Sequence, residues 1–302
     1  MWHFVAVKAS EANKYNMKLI ATWSFEPFLS GNGFPWLKTE HFLTTVKRSI
    51  DLAAEHYSKP TIYTDSLGCE VFSQLTTNAN YVNVYDGIFE KHSLDHRIWI
   101  LPKLLTYKEQ TEPYLHFDLD FLFLKKLDEK YLETGVLVHN LEYTDHPQMK
   151  EWYFFEDIRS QYILPEEYSN PNIDAIGIPN LGVLYLEDMT FNQEYVNAAL
   201  DIIEKNKQLL NTAEKHLQVI NIEQRLLGLL FDKYSITPNV LLPRKVGGMF
   251  DLDTTDHGEK FVHICGPLKW DPLHLELMVE PWITPEIVEL ANRLDAMKQI
   301  KS

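Results

Sequence analysis

Cysteine is scarce in this sequence: 302 residues contain two, Cys69 and Cys265. Two distant thiols cannot build a disulfide framework and lack the close spacing of a zinc-type site, which fits a reducing compartment. Long apolar runs are also missing, since no stretch approaches the roughly 18 uninterrupted apolar residues of a membrane-spanning helix. The start, Met1-Trp2-His3-Phe4-Val5-Ala6-Val7-Lys8, has neither the charged segment nor the apolar segment of an export signal. A cytoplasmic protein without an integral membrane segment is therefore expected. Basic charge is short as well, with 28 Lys and Arg against 43 Asp and Glu, a formal charge of -15. The field of such a surface repels a phosphodiester backbone, so nucleic acid is not an expected partner. Internal repeats, low-complexity tracts and obvious linkers are absent too.

What is present is apolar material in quantity: 45% hydrophobic and 13% aromatic residues. That suffices to bury one large core at the upper size of a single domain, expected over 1–302. Lys18 to Trp23 is a short apolar run ending at a Ser24/Pro27 break, the pattern of a buried strand. A Gly- and Pro-containing loop, Ser30 to Pro35, follows. From Lys38 to Tyr57 there is no Gly or Pro, and Phe42, Val46, Ile50, Ala53 and Tyr57 recur at helical spacing. Strands are expected at Pro60 to Thr64, Tyr81 to Tyr85, Tyr114 to Phe117, Gly135 to His139, Leu181 to Leu186 and Lys260 to Ile264. Helices are expected over Asp95 to Gln110, Asn192 to Leu210 and Glu214 to Leu227. This alternation predicts an α/β protein with a mostly parallel central sheet flanked by helices. Asp145 to Pro179, which mixes Pro and acids with Trp152-Tyr153-Phe154-Phe155, reads as a functional loop or small subdomain inserted on the acceptor side, or as aromatic packing.

Two motifs carry chemistry. Asp118-Leu119-Asp120 follows the apolar strand Tyr114-Leu115-His116-Phe117, at the strand end where open α/β sheets bind ligands. In an extended segment alternate residues point the same way, so both carboxylates can meet one Mn2+ or Mg2+ ion. The second motif is His263-Ile264-Cys265-Gly266-Pro267-Leu268-Lys269. His263 follows a strand, Gly266 lets the backbone approach a ligand, and Lys269 brings a point charge suited to a diphosphate. A second Asp-x-Asp, Asp251-Leu252-Asp253, lies among Gly247, Gly248, Thr254 and Thr255 and reads as solvated loop. Arg244-Lys245 reads equally as a phosphate contact or an exposed turn. His92, His96, His139 and His257 have no partner at ligand spacing and read as solvated or structural.

In this combination and order the sequence resembles the GT-A-fold, Rossmann-like glycosyltransferases, especially the retaining group of glycogenin and the lipopolysaccharide galactosyl- and glucosyltransferases. Trp99 to Gln110, with Lys103, resembles the helix that sends a basic residue toward the donor. Asn180-Leu181-Gly182 is similar to that family's Asn-x-Gly strand, and Glu223-Gln224 to its acid-Gln pair. The resemblance implies that Asp118, Asp120 and His263 bind the metal, that Gly266 and Lys269 hold the diphosphate, and that Trp23, Ser24 and Asp65 meet the nucleotide. It places Lys103 near the donor and Asn180, Gly182, Glu223 and Gln224 on the sugar or acceptor side as the catalytic face. The implied activity is transfer of a sugar from a nucleotide-diphosphate donor, a UDP-sugar being favoured, to a hydroxyl of a saccharide or glycoconjugate, with Mn2+ or Mg2+ and with retention. An acidic surface favours a soluble polysaccharide acceptor over a lipid carrier.

Two other classes fit parts of the pattern. A haloacid-dehalogenase-type phosphatase also places Asp-x-Asp after an apolar strand, but wants Thr or Val two residues beyond the second Asp, where this chain has Leu122. A non-catalytic nucleotide-sugar-binding protein would keep the same fold and motifs.

Overall fold

The computed structural model describes residues 17–30, 36–143, 161–170, 175–212, 220–243 and 260–301. The second Asp-x-Asp, Trp152 to Phe155, Arg244-Lys245, Gly247-Gly248, His257 and most of the expected insertion lie outside the described residues.

Nine strands are described: β1 (Lys18–Thr22), β2 (Thr61–Thr64), β3 (Asn80–Asn83), β4 (Tyr114–Phe117), β5 (Phe121–Phe123), β6 (Val136–Glu142), β7 (Ile178–Leu186), β8 (Asn239–Leu242) and β9 (Phe261–His263). Seven form one sheet in the order β3-β2-β1-β4-β7-β6-β8, and β5 pairs with β9 in a separate ribbon. Neighbours are parallel except at β4-β7 and β7-β6, so β7 alone runs against the other six strands. This is the mostly parallel sheet the sequence predicts. Both faces are covered, as parallel strands require: along β1, Leu19 and Ala21 enter one core while Ile20 enters the other.

The helices follow their local chemistry. They include α1 (Glu26–Leu29), α2 (Thr39–His56), α3 (Ser66–Leu75), α4 (Ile88–His92) and α5 (Leu101–Lys108). The apolar stripe of α2 is buried as its spacing predicts, and Ser49 donates to the Phe121 carbonyl at 2.6 Å, docking the helix on β5. The helix expected over Asp95 to Gln110 starts only at Leu101, which leaves Pro102 in the first turn where its missing N–H costs nothing. The helix expected over Asn192 to Leu210 runs as Met189–Lys205, capped by Asp188, and is interrupted at Asn206 before Lys207–Thr212. The Asn206 side chain bonds both the N–H and the carbonyl of Ile163, which turns the chain there. Of the third expected helix, Glu214 to Leu227, residues 214–219 lie outside the described residues; the rest holds a π-helical turn, Asn221–Arg225, that continues into the α-helix Leu226–Lys233. Two C-terminal helices, Pro272–Met278 and Pro285–Lys301, were not anticipated, and the second packs on α2 through Thr39 and Asp295 at 2.6 Å. Among the described residues no helix is long and apolar enough to cross a membrane.

One buried carboxylate knits the ends of β1 and β2. Asp65 caps α3 by accepting from the Gly68 N–H at 2.8 Å, and its other oxygen accepts from the Phe25 N–H at 2.6 Å and the Ser24 hydroxyl at 2.9 Å. Burial pushes its pKa up, and those donors oppose the shift. Truncation would orphan two buried N–H groups. Asp65→Ala is therefore expected to lower the unfolding free energy by about 2 kcal/mol in urea titrations. A change below about 0.5 kcal/mol would contradict this capping role.

Candidate metal centre

The C-terminal edge of the sheet gathers Trp23 and Ser24 after β1, Asp65 after β2 and Asp118 after β4. Because β7 runs backwards, its N-terminal half, with Asn180 and Gly182, arrives at the same edge. The Asp118 N–H donates to the Gly182 carbonyl at 2.8 Å. The chain does not stay extended through Asp118-Leu119-Asp120, as alternation would require. The Phe121 N–H closes on the Asp118 carbonyl at 2.9 Å, so a tight turn, rather than strand pleating, sets the two carboxylates side by side. The turn delivers β5, which pairs antiparallel with β9 so that Phe121 faces His263. The Ile264 N–H then donates to the Asp120 carbonyl at 3.0 Å. The two distant motifs thus meet through a strand pair.

One ligand atom from each of Asp118, Asp120 and His263 lies within 4.8 Å of the others. His263 Nε2 is 3.2 Å from Asp120 Oδ1, and Lys269 Nζ is 2.6 Å from Asp120 Oδ2. Gly266, at φ +51°, starts the short 3-10 turn that carries Lys269 inward. The Lys269 ammonium also lies over the Trp36 ring at 5.5 Å. Burial alone would raise the Asp120 pKa, but Lys269 and His263 hold its carboxyl well below the usual range. Burial disfavours the charged forms of His263 and Lys269, yet Asp120, with Cys265, raises both. Asp120 Oδ1 is buried and has His263 Nε2 as its charge partner at 3.2 Å. Two carboxylates and an imidazole whose ligand atoms converge within 4.8 Å are a donor set that suits Mn2+ or Mg2+. The residues fit the ion.

A second charge cluster adjoins the first. Lys103 on α5 lies 2.9 Å from Asp118 Oδ1 and 3.2 Å from Glu223 Oε1, and donates to the Leu181 carbonyl at 3.1 Å. Burial lowers the Lys103 pKa, but the carboxylates of Asp118 and Glu223 raise it above the ordinary ammonium range. Glu223 sits on the π turn with no exposed surface, and burial pushes its pKa up against the pull of Lys103. Lys103 is thus the firmly charged member, and Glu223 the one driven toward neutrality. Gln224 is half-buried on the same turn. Asn180 is held by its own amide, which donates to Glu142 Oε1 at 2.9 Å and accepts from the Gly182 N–H at 3.0 Å. Trp23 stacks at 4.5 Å on Phe42, with its buried Nε1 unpartnered, and Ser24 and Asp65 spend their polar atoms on each other and on the backbone.

Two site residues escaped the sequence reading. Glu142, buried at the end of β6, fixes the Asn180 amide. His139, read as structural, brings Nδ1 within 3.3 Å of His263 Nδ1. The available signal was that His139 closes the apolar run from Gly135 and that Glu142 follows three residues on.

Fold and site together define an α/β protein with two carboxylates, an imidazole and a lysine gathered at the C-terminal edge of its sheet. The family model that matches residues 17–289 is DUF6734, a family of unknown function, and the chain belongs to that family. No curated protein matches the sequence. Among solved structures, the chain is similar to the galactosyltransferase LgtC in complex with donor and acceptor sugar analogs, at 11% identity over 92% of this chain and 96% of that one, TM-score 0.46. It is similar to an active-site mutant of LgtC at 13% identity over the same shares, TM-score 0.48. It is also similar to the apo form of mouse xyloside xylosyltransferase 1, at 9% identity over 82% of this chain and 96% of that one, TM-score 0.40.

Removing Lys103 would strand Glu223 as an uncompensated buried carboxylate. Lys103→Met is expected to cost about 3–5 kcal/mol at pH 8. Its effect depends on pH with a definite sign. A carboxyl whose folded pKa is raised above its model value of 4.5 keeps its full stability below that value and loses it as pH rises through the folded pKa. The deficit of Lys103→Met against wild type should therefore shrink from pH 8 to pH 5 in urea titrations, and Lys103→Met/Glu223→Gln should flatten that dependence. A deficit independent of pH would contradict the pairing.

Proposed function

We propose that this protein is a metal-dependent glycosyltransferase that moves a sugar from a nucleotide-diphosphate donor, a UDP-sugar being favoured, to a hydroxyl of a saccharide or glycoconjugate, with retention. The observation that carries the reading is the meeting of Asp118, Asp120 and His263 within 4.8 Å, with Lys269 on the same Asp120 carboxylate, at the ligand-binding edge of the sheet.

Breaking the bond between the anomeric carbon and the diphosphate builds negative charge on the departing oxygens. A divalent cation held by Asp118, Asp120 and His263 would supply Lewis-acid stabilisation of that charge. Lys269 adds a second positive charge from the same wall, in a buried setting where it acts more strongly than in water. Lys103 balances Asp118 and Glu223, which keeps that carboxylate pair in place beside the donor. By the family resemblance, Asn180, Glu223 and Gln224 would supply the polar group that a retaining enzyme needs beneath the anomeric carbon. The proton of the acceptor hydroxyl passes to a departing phosphate oxygen, so no further protein base is required. The acidic surface favours a soluble polysaccharide as acceptor. The phosphatase alternative loses ground because the residue two beyond Asp120 is Leu122, an apolar side chain buried in β5.

The test combines ligand binding with two substitutions. UDP and UDP-sugars are expected to raise the Tm only with Mn2+ present, and GDP or CMP to do so less. Asp120→Ala and His263→Ala should each lower metal-dependent turnover by about 100-fold or more while keeping the far-UV spectrum of the wild type. Unchanged turnover in either variant would remove the metal assignment. No shift with any nucleotide, but one with phosphate or Mg2+ alone, would favour the phosphatase.

A further inference from the structure

The ring of His263 occupies a three-sided socket. On one side is Gly182: a Cβ built there would lie 2.3 Å from His263 Cε1, so no side chain fits. This close approach arises from an irregular stretch of sheet. Val138 pairs with Leu184 and Asn140 with Asn180, so the single residue His139 of β6 faces three residues of β7, Leu181-Gly182-Val183. Such departures from the ladder re-aim side chains beside functional sites. Two of the three, Leu181 and Gly182, supply the carbonyls that receive Lys103 and the Asp118 N–H. On the second side Phe121 meets the His263 ring at 5.8 Å between centroids. On the third, His139 stands edge-on at 79°, with 4.9 Å between centroids and 3.3 Å between the two Nδ1 atoms. His139 is itself buried, set edge-on against Phe121 at 5.6 Å and Phe261 at 6.3 Å.

We propose that His139 is a positioning residue for the cation site: its Nδ1 accepts the Nδ1–H of His263, which fixes the His263 tautomer and aims the Nε2 lone pair at the ion shared with Asp118 and Asp120. The chemistry leaves little choice. Two ring nitrogens 3.3 Å apart form a hydrogen bond only if one donates and the other accepts. For Nε2 of His263 to offer a lone pair, the neutral ring must carry its proton on Nδ1, which makes His263 the donor and His139 the acceptor. His139 then carries its own proton on Nε2. Most ligating histidines donate their other N–H to a carboxylate, a carbonyl or water, and an imidazole acceptor adds a ring that packing can lock. Substituting such an outer partner typically costs about 10–100-fold in metal affinity. This inference rests on the metal-site reading of Asp118, Asp120 and His263.

The test measures Mn2+ binding to the full chain by titration calorimetry, with Mn2+ alone as probe, in wild type, Asp120→Ala, His139→Phe and His139→Asn. His139→Phe keeps a ring against Phe121 and Phe261 but removes the acceptor; His139→Asn restores an oxygen acceptor. The expected result is a loss of at least about 10-fold in affinity for His139→Phe, recovery of most of it in His139→Asn, and a Tm within a few degrees of wild type for both. If wild type binds Mn2+, Asp120→Ala does not, and His139→Phe binds like wild type, the positioning role is overturned while the metal site stands. Failure of wild type to bind Mn2+ overturns both, since nothing is left to position. If His139→Phe does not fold, 15N spectra of imidazole-labelled wild type saturated with diamagnetic Mg2+ decide: His263 protonated on Nδ1 alone and His139 on Nε2 are expected, and the opposite pair of tautomers overturns the proposal.

Discussion

A buried carboxylate has to be compensated, and much of the architecture at the C-terminal edge answers that demand from Asp120. In a low-dielectric setting its charge is costly unless cations or hydrogen-bond donors surround it. Lys269 and His263 converge on it from a segment that arrives only after the rest of the sheet is complete, and their approach depends on the pairing of β5 with β9. Lys269 meets one oxygen at 2.6 Å, and His263 Nε2 lies 3.2 Å from the other.

The reversed strand β7 does most of the positioning. Running against its neighbours, it brings Asn180 and Gly182 to the edge where the parallel strands end, and its irregular register lets Gly182 touch the His263 ring, receive the Asp118 N–H, and leave the neighbouring Leu181 carbonyl to Lys103. The cation site and the buried Lys103-Glu223 pair are therefore held by one short piece of backbone. Asp118 belongs to both clusters, close enough to Asp120 to share an ion and 2.9 Å from Lys103. A change of charge at Asp118 is therefore felt by Glu223 through the shared Lys103 ammonium.

Much of this is legible in the sequence, and the missing parts have a common cause. β1, β4 and α2 announce themselves by short apolar runs and helical spacing, and Asp118, Asp120, His263 and Lys269 stand out because each motif is local and follows an apolar strand. The buried stripe Ile287, Leu290, Ala291 and Leu294 of the last helix also carries helical spacing, although no motif draws attention to it. What the sequence does not disclose is who faces whom across irregular backbone. The turn between Asp118 and Phe121 replaces an expected extended segment. The contact of His139 with His263 arises where the strand ladder slips, and period-two patterning carries no trace of a slip. The burial of Lys103 between Asp118 and Glu223 joins three elements whose separation along the chain hides their meeting. Asp65, expected at the nucleotide, has its carboxylate fully engaged by the chain itself.

The central claim is that Asp118, Asp120 and His263 hold a divalent cation. Its most direct test is anomalous diffraction from crystals grown with MnCl2 and UDP. The account predicts one strong manganese peak about 2.0–2.3 Å from a carboxylate oxygen of Asp120 and from His263 Nε2, with Asp118 in the same coordination sphere. A crystal that binds UDP at the sheet edge with no manganese peak between these three side chains would contradict it.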